Sequence, residues 1–242
     1  MRGYEKAGVV DAIRAAGGEI FAVRSEPQSL ATEAEEDWAF GFPSVGDPHH
    51  EILGVCQERG WLDLFVQQMP AKKMIRPWAS HPGGYFQPGV LALSREGRVL
   101  YRWRCRPTHQ NIGGALQRPT AEYTWAQIQT GLAERSGDAP LDIAPELDAK
   151  APPWPLFVLM LLAHGWFWRP RPFPLGRPDD PPSAKPPAMF VRLLGFAGAW
   201  VAAFALLPPI WVTAALAAWV ALVAPGVIEL GRLFQHAPAG AP

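Results

Sequence analysis

The chain has 242 residues, room for one ordinary domain and an appendage, and its 22 lysines and arginines balance 22 aspartates and glutamates. A sequence without net charge gives no electrostatic reason for a polyanionic partner, so no nucleic acid is expected. With two cysteines, Cys56 and Cys105, it has neither a disulfide framework nor the paired clusters of a structural zinc site, and reducing surroundings are expected.

Charges are interspersed from Met1 to about Lys150, whereas tryptophan, phenylalanine, leucine, alanine and proline dominate from Pro152 onward. The first residues have no apolar run of secretory length, which predicts that the N-terminal part stays on the cytoplasmic side. Residues 4–16 carry Val9, Val10, Ile13 and Ala16 at helical spacing, and Gly17-Gly18 supplies a stop. Residues 19–24 read as a short buried strand, Pro27 opens a helix through Trp38, and residues 42–45 read as a second strand. Asp47-Pro48 then reads as an N-cap with proline at the first helical position, in a helix holding Ile52, Leu53 and Cys56 on one side.

Residues 87–94 and 98–106 read as strands joined through Arg95-Glu96-Gly97. Alternation puts Val99, Tyr101, Trp103 and Cys105 on a buried face and Arg102, Arg104 and Arg106 on a wet or paired one. Residues 121–134 form a helix whose apolar face is Trp125, Ile128 and Leu132. Early strands separated by helices predict parallel pairing, and the hairpin adds an antiparallel edge, so the fold class is α/β.

Four stretches carry a family likeness. They are residues 15–23 (AAGGEIFAV), residues 42–48 (FPSVGDP), residues 87–93 (QPGVLAL), and Tyr101-Arg102-Trp103 through Asn111-Ile112-Gly113-Gly114-Ala115 to Arg118-Pro119. In order and spacing they resemble the peroxiredoxin-like branch of the alkyl hydroperoxide reductase and thiol-specific antioxidant (AhpC/TSA) superfamily. The resemblance implies a thioredoxin-like fold over residues 1–136, incomplete at the N-terminus, with a cis-proline at Pro88 beside the active site. It also implies a peroxide-attacking cysteine at the start of the helix before Gly17-Gly18-Glu19, where the helix dipole favours thiolate. No cysteine stands there. Two expectations follow: the family's cysteine belongs to a segment ahead of Met1, or the chain has given up peroxidase chemistry.

Cys105 and Cys56 are the remaining catalytic candidates. Cys105 is flanked by Arg104 and Arg106, which favour thiolate, yet it shares the apolar face with Trp103; Cys56 sits mid-helix among aliphatic neighbours as a small core residue would. Pro88 and Arg118 are candidate substrate-binding residues, Arg118 as counter-charge to a backbone nest at 111–114, with an ordinary glycine loop as the other reading. His49 and His50 beside Asp47 invite a metal, but adjacent helical residues diverge by about 100° and no third ligand recurs, so a solvated first turn is expected and no metal or cofactor is assigned.

Residues 137–153 read as a linker and 154–235 as a membrane-associated helical region. Residues 188–207 and 210–230 are each long and apolar enough to span the ~30 Å hydrocarbon core, and Pro208-Pro209 between them predicts a helical hairpin. Residues 154–168 make only about 22 Å of helix, which predicts an interfacial or re-entrant segment. Arg169, Arg171, Arg177 and Lys185 place the following loop on the cytoplasmic side. The functional expectation is a membrane-tethered thiol antioxidant or oxidoreductase domain lacking its usual cysteine. The alternative is a redox-inactive interaction module at the membrane. Partners would be the lipid bilayer and a thiol reductant or protein.

Overall fold

A computed structural model describes residues 2–68, 81–114, 116–134, 137–170, 185–234 and 237; Ala115, Arg171 and Arg177 lie outside the described residues. Residues 152–235 form one compact unit and the rest of the chain another.

In the first unit, residues 4–16 make two helices instead of one, α1 (Arg2–Lys6) and α2 (Val9–Ala15), because the backbone at Gly8 is left-handed (φ 69°). The break lets α2 turn Val9 and Val10 inward. Strands β1 (Ala22–Arg24) and β2 (Ser44–Gly46) pair in parallel, Ala22 opposite Ser44, with α3 (Gln28–Trp38) as their connection. Val10, Ala22, Phe40 and Phe42 form the core beside this pair, where Phe40 and Phe42 stack at 5.2 Å.

Helix α4 (Glu51–Glu58) starts later than Asp47-Pro48 suggests. Asp47 still caps it from a distance: Oδ1 accepts from the Glu51 amide at 2.7 Å and Oδ2 from the Leu53 amide at 3.1 Å. Of the three residues assigned to its inner side only Leu53 is buried; Ile52 is exposed and Cys56 half-buried.

Strands β3 (Val66–Gln67) and β4 (Tyr85–Phe86) form an antiparallel pair. Strands β5 (Gly89–Leu93) and β6 (Val99–Arg104) form the expected hairpin, with a register shift at Ala92/Leu93. Val99, Tyr101, Trp103 and Cys105 are buried as alternation requires. The opposite face is paired: Arg102 donates to the carbonyls of Gly60 and Trp61, and Arg104 meets Asp63 at 3.0 Å.

Helix α5 (Ala121–Ala133) turns Ile128 inward as expected but not Leu132. Ala121, Thr124 and Gly131 are buried and Ile128 packs on Tyr101, Trp103 and Cys105, while Leu132 is 49% exposed. The reason is closeness, since a Cβ on Gly131 would stand 2.3 Å from the Leu100 carbonyl oxygen. Part of the segment read as a linker is strand β7 (Leu141–Asp142), parallel to β6, with a further bridge between Pro119 and Leu147. Carboxylates anchor it: Asp138 accepts from the Val99 amide, and Asp142 accepts from the hydroxyls of Tyr101 and Tyr123.

The first unit is thus mixed α/β. Its described strands fall into three small sheets, β1–β2, β3–β4 and β5–β6–β7, instead of the single sheet a thioredoxin-like fold implies.

The second unit contains α6 (Trp154–His164), α7 (Lys185–Leu206) and α8 (Pro209–Leu233). Among the described residues α8 is the one helix long and apolar enough by itself to cross a membrane, and Phe190–Leu206 of α7 is a shorter apolar stretch. Leu162, Ala163, Phe167 and Val223 form the core of the unit, packed by Leu193, Phe196 and Trp219.

Candidate functional site

The structure brings three of the four candidate residues together. Pro88 stands just before β5, and its carbonyl oxygen accepts from the Cys105 amide at 2.7 Å. The chain after Cys105 then folds back over this spot, with Gly114 so close that a Cβ there would lie 2.9 Å from Cys105 Sγ and 2.3 Å from Gln87 Oε1. Arg118 closes the loop by donating to the carbonyls of Gly114 and Gln117. Cys56, on α4, is not part of this cluster as far as the described contacts go.

Asn111 organises the loop, and its side chain is fully occupied. Oδ1 accepts from the amides of Thr108 and Gly114, both at 2.8 Å, while Nδ2 donates to the Arg106 carbonyl at 2.7 Å and to Cys105 Sγ at 3.8 Å. Thr108 Oγ1 accepts from the Asn111 amide in return, making a reciprocal cap. The Gly113 amide is spent on the Thr108 carbonyl. The amides of Asn111, Gly113 and Gly114 thus have internal acceptors, which counts against the anion nest and favours the ordinary glycine loop. Ile112 is buried in left-handed backbone (φ 55°), a strained conformation for a β-branched residue that this network holds in place.

Two expectations about the site are corrected. The Gln87–Pro88 peptide is trans. The cation acting on Cys105 is Arg118, since Arg104 points to the other face of β6 and pairs with Asp63. Cys105 is 3% exposed, and burial pushes its thiol above the ordinary range against the opposing pull of Arg118. Burial, with Asp47 adding in the same direction, also raises the Cys56 thiol. Both cysteines are free thiols.

Sequence reasoning missed two buried polar groupings. Gln87 is 2% exposed and donates through Nε2 to Gln67 Oε1 at 2.6 Å, leaving its own Oε1 without a hydrogen-bond partner next to Gly114. Ser25, directly after β1, places Oγ 2.9 Å from His81 Nδ1 and accepts from the Phe86 amide at 3.2 Å, while His81 Nε2 lies 3.9 Å from Glu26. Glu26 is held by Arg24. Burial lowers the His81 pKa, outweighing Glu26, which raises it. His50 does not sit in a solvated turn: its ring packs on Phe86 at 4.7 Å. The one local signal was Thr108-x-x-Asn111, whose spacing is that of a cap.

Among the described residues no group of three or more His, Cys, Asp or Glu side chains gathers as a metal site needs. No protein-family model, curated protein or solved structure matches this chain. The likeness to the AhpC/TSA superfamily therefore rests on the sequence stretches and the order of elements.

Proposed function

We propose that this chain is a membrane-anchored, peroxiredoxin-like module of the AhpC/TSA antioxidant type, built on a thioredoxin-like plan, that holds a redox partner protein instead of attacking peroxide with its own cysteines. The observation that carries this is the condition of Cys105: buried, with its pKa raised by burial against the pull of Arg118, whose Nη1 donates to two backbone carbonyls. A thiol peroxidase needs a thiolate that peroxide can reach and an arginine that steadies the developing charge. Parallel β1–β2 joined by α3, the β5–β6 hairpin and the closing α5 support the family reading, because they follow the order that the resemblance implies.

The anchor reading is supported by α8 and by the exposed apolar side chains Val191, Leu194, Val201, Ile210 and Trp211 on the two long helices, an apolar surface that a bilayer would cover. The basic residues Arg169, Arg171, Arg177 and Lys185 in the sequence before the apolar part of α7 favour a cytoplasmic first unit. A second reading, a thiol oxidoreductase acting through Cys105, is favoured only by the electrostatic pull of Arg118.

Alkylation of the native chain at neutral pH tests the state of the thiols. Cys105 is expected to react only after unfolding, and rapid modification in the folded protein would overturn the proposal. Retention in membranes washed with alkaline carbonate is expected of the anchor, and release would remove it.

A further inference from the structure

We propose that α6 and the turn after it form a re-entrant membrane segment, entering and leaving the bilayer on one face and seated against α7 and α8; this rests on the membrane reading above. The ring contacts fix its direction. Trp154 and Phe157, at the start of α6, meet Phe234, just past the end of α8, with centroids 5.8 and 5.5 Å apart. Phe167, just past the end of α6, stacks on Phe196 of α7 at 3.8 Å, and its carbonyl oxygen accepts from Trp219 Nε1 at 2.8 Å. Trp219 precedes Phe234 by 15 residues, about 22 Å of helix. Helix α6 therefore runs antiparallel to the C-terminal half of α8, from its end to its middle.

The chain then turns back. Pro170 lies beside Gly226, where a Cβ would stand 2.9 Å from its Cδ, so three residues after Phe167 the chain has moved from the level of Trp219 toward that of Phe234. The turn is a helix-ending motif: the Phe167 amide donates to the Leu162 carbonyl at 2.7 Å and the Trp166 amide to the Ala163 carbonyl at 3.2 Å, with Trp166 and Phe167 both left-handed. At 11 residues, α6 is about 16 Å long and too short to cross a ~30 Å core.

Non-helical backbone at membrane depth persists only where protein satisfies it. The Trp219 indole does so for the Phe167 carbonyl, and Arg192 reaches the Ala163 carbonyl at 3.4 Å with its guanidinium 4.1 Å above the Trp166 ring. The one cation in the apolar part of α7 is thereby given a carbonyl and an aromatic face, the partners an intramembrane arginine needs.

The test uses the full chain with single substitutions Lys150→Cys, Lys185→Cys and Leu207→Cys, and a membrane-impermeant maleimide applied to intact cells and to inside-out vesicles, with the parent chain's labelling subtracted. Positions 150 and 185 are expected to label in the same preparation and 207 in the other. If 150 and 185 label from opposite sides while the chain stays in carbonate-washed membranes, the segment spans; re-entrance fails and the anchor stands. Labelling of all three from one side would mean a unit lying on the surface and would overturn the proposal. Release of the chain by carbonate would overturn both readings.

Discussion

Adding one methyl group at Gly114 tests whether the loop after Cys105 is packed as described. Gly114 is left-handed (φ 84°), and its new Cβ would stand 2.3 Å from Gln87 Oε1 and 2.9 Å from Cys105 Sγ. Gly137 provides the comparison, because its backbone is nearly the same (φ 81°) and nothing lies within 4 Å of the corresponding Cβ. Both alanines carry a left-handed strain of about 1–2 kcal/mol, offset by about 0.4–1 kcal/mol of lost freedom in the unfolded chain. Gly114→Ala alone forces Gln87 or Cys105 to move, and Gln87 is tied to Gln67 in a buried site, so overpacking adds about 1–3 kcal/mol. Gly137→Ala is therefore expected to cost about 1 kcal/mol and Gly114→Ala about 2–4 kcal/mol. Amide hydrogen exchange of β6 in the full chain reads these differences, and Gly114→Ala should speed the slowest amides by roughly 30- to 700-fold at about 1.4 kcal/mol per decade. Equal effects for the two substitutions would show that the loop does not rest on Gln87 and Cys105.

Two helical glycines should respond in opposite directions to alanine. Gly54 in α4 has nothing within 4 Å of a Cβ, so Gly54→Ala should stabilise the first unit by up to about 1 kcal/mol; Gly131→Ala gains the same propensity but drives a methyl onto the Leu100 carbonyl and should destabilise by about 1–3 kcal/mol. Hydrogen exchange ranks them, and a stabilised Gly131→Ala would refute the close approach of α5 to β6. His81 supplies a pH dependence: its folded pKa is lowered, so protons bind the unfolded chain more readily, and stability present at neutral pH should fall as pH drops below about 6.5. His81→Gln should flatten that slope in a titration of the urea midpoint, whereas a wild type that gains stability on acidification would mean that Glu26 governs the site.

What was legible in the sequence was what local periodicity dictates. The β5–β6 hairpin follows from period-2 alternation and the Arg95-Glu96-Gly97 connection, and parallel β1–β2 follows from a helix lying between two strands. Contacts set by distant carboxylates were not legible: β7 is only two residues long, and Asp138 and Asp142 hold that stretch against β6 and α5 through side-chain hydrogen bonds that no pattern announces. On the inner face of α5, Ile128 was legible from helical spacing, whereas the burial of Ala121, Thr124 and Gly131 in place of Leu132 was not, because small residues permit a closer approach than large apolar ones allow. At the candidate site, the nearness of Pro88, Cys105 and Arg118 is long-range geometry, and the bond of the Gly114 amide to Asn111 Oδ1 and of Arg118 to the Gly114 carbonyl depend on how the loop after Cys105 folds back. Ser25 and His81 are 56 residues apart and meet only in the folded chain.

Peroxide consumption in the presence of a thiol reductant tells whether either cysteine of this chain attacks peroxide. The wild type, Cys56→Ser and Cys105→Ser are compared at neutral pH in the membrane-anchored full chain. The expected result is that all three are equally inert, since both thiols are held above their ordinary pKa by burial. Turnover at the level of an ordinary peroxiredoxin that disappears in Cys105→Ser would contradict it and make Cys105, beneath Arg118, the attacking thiol.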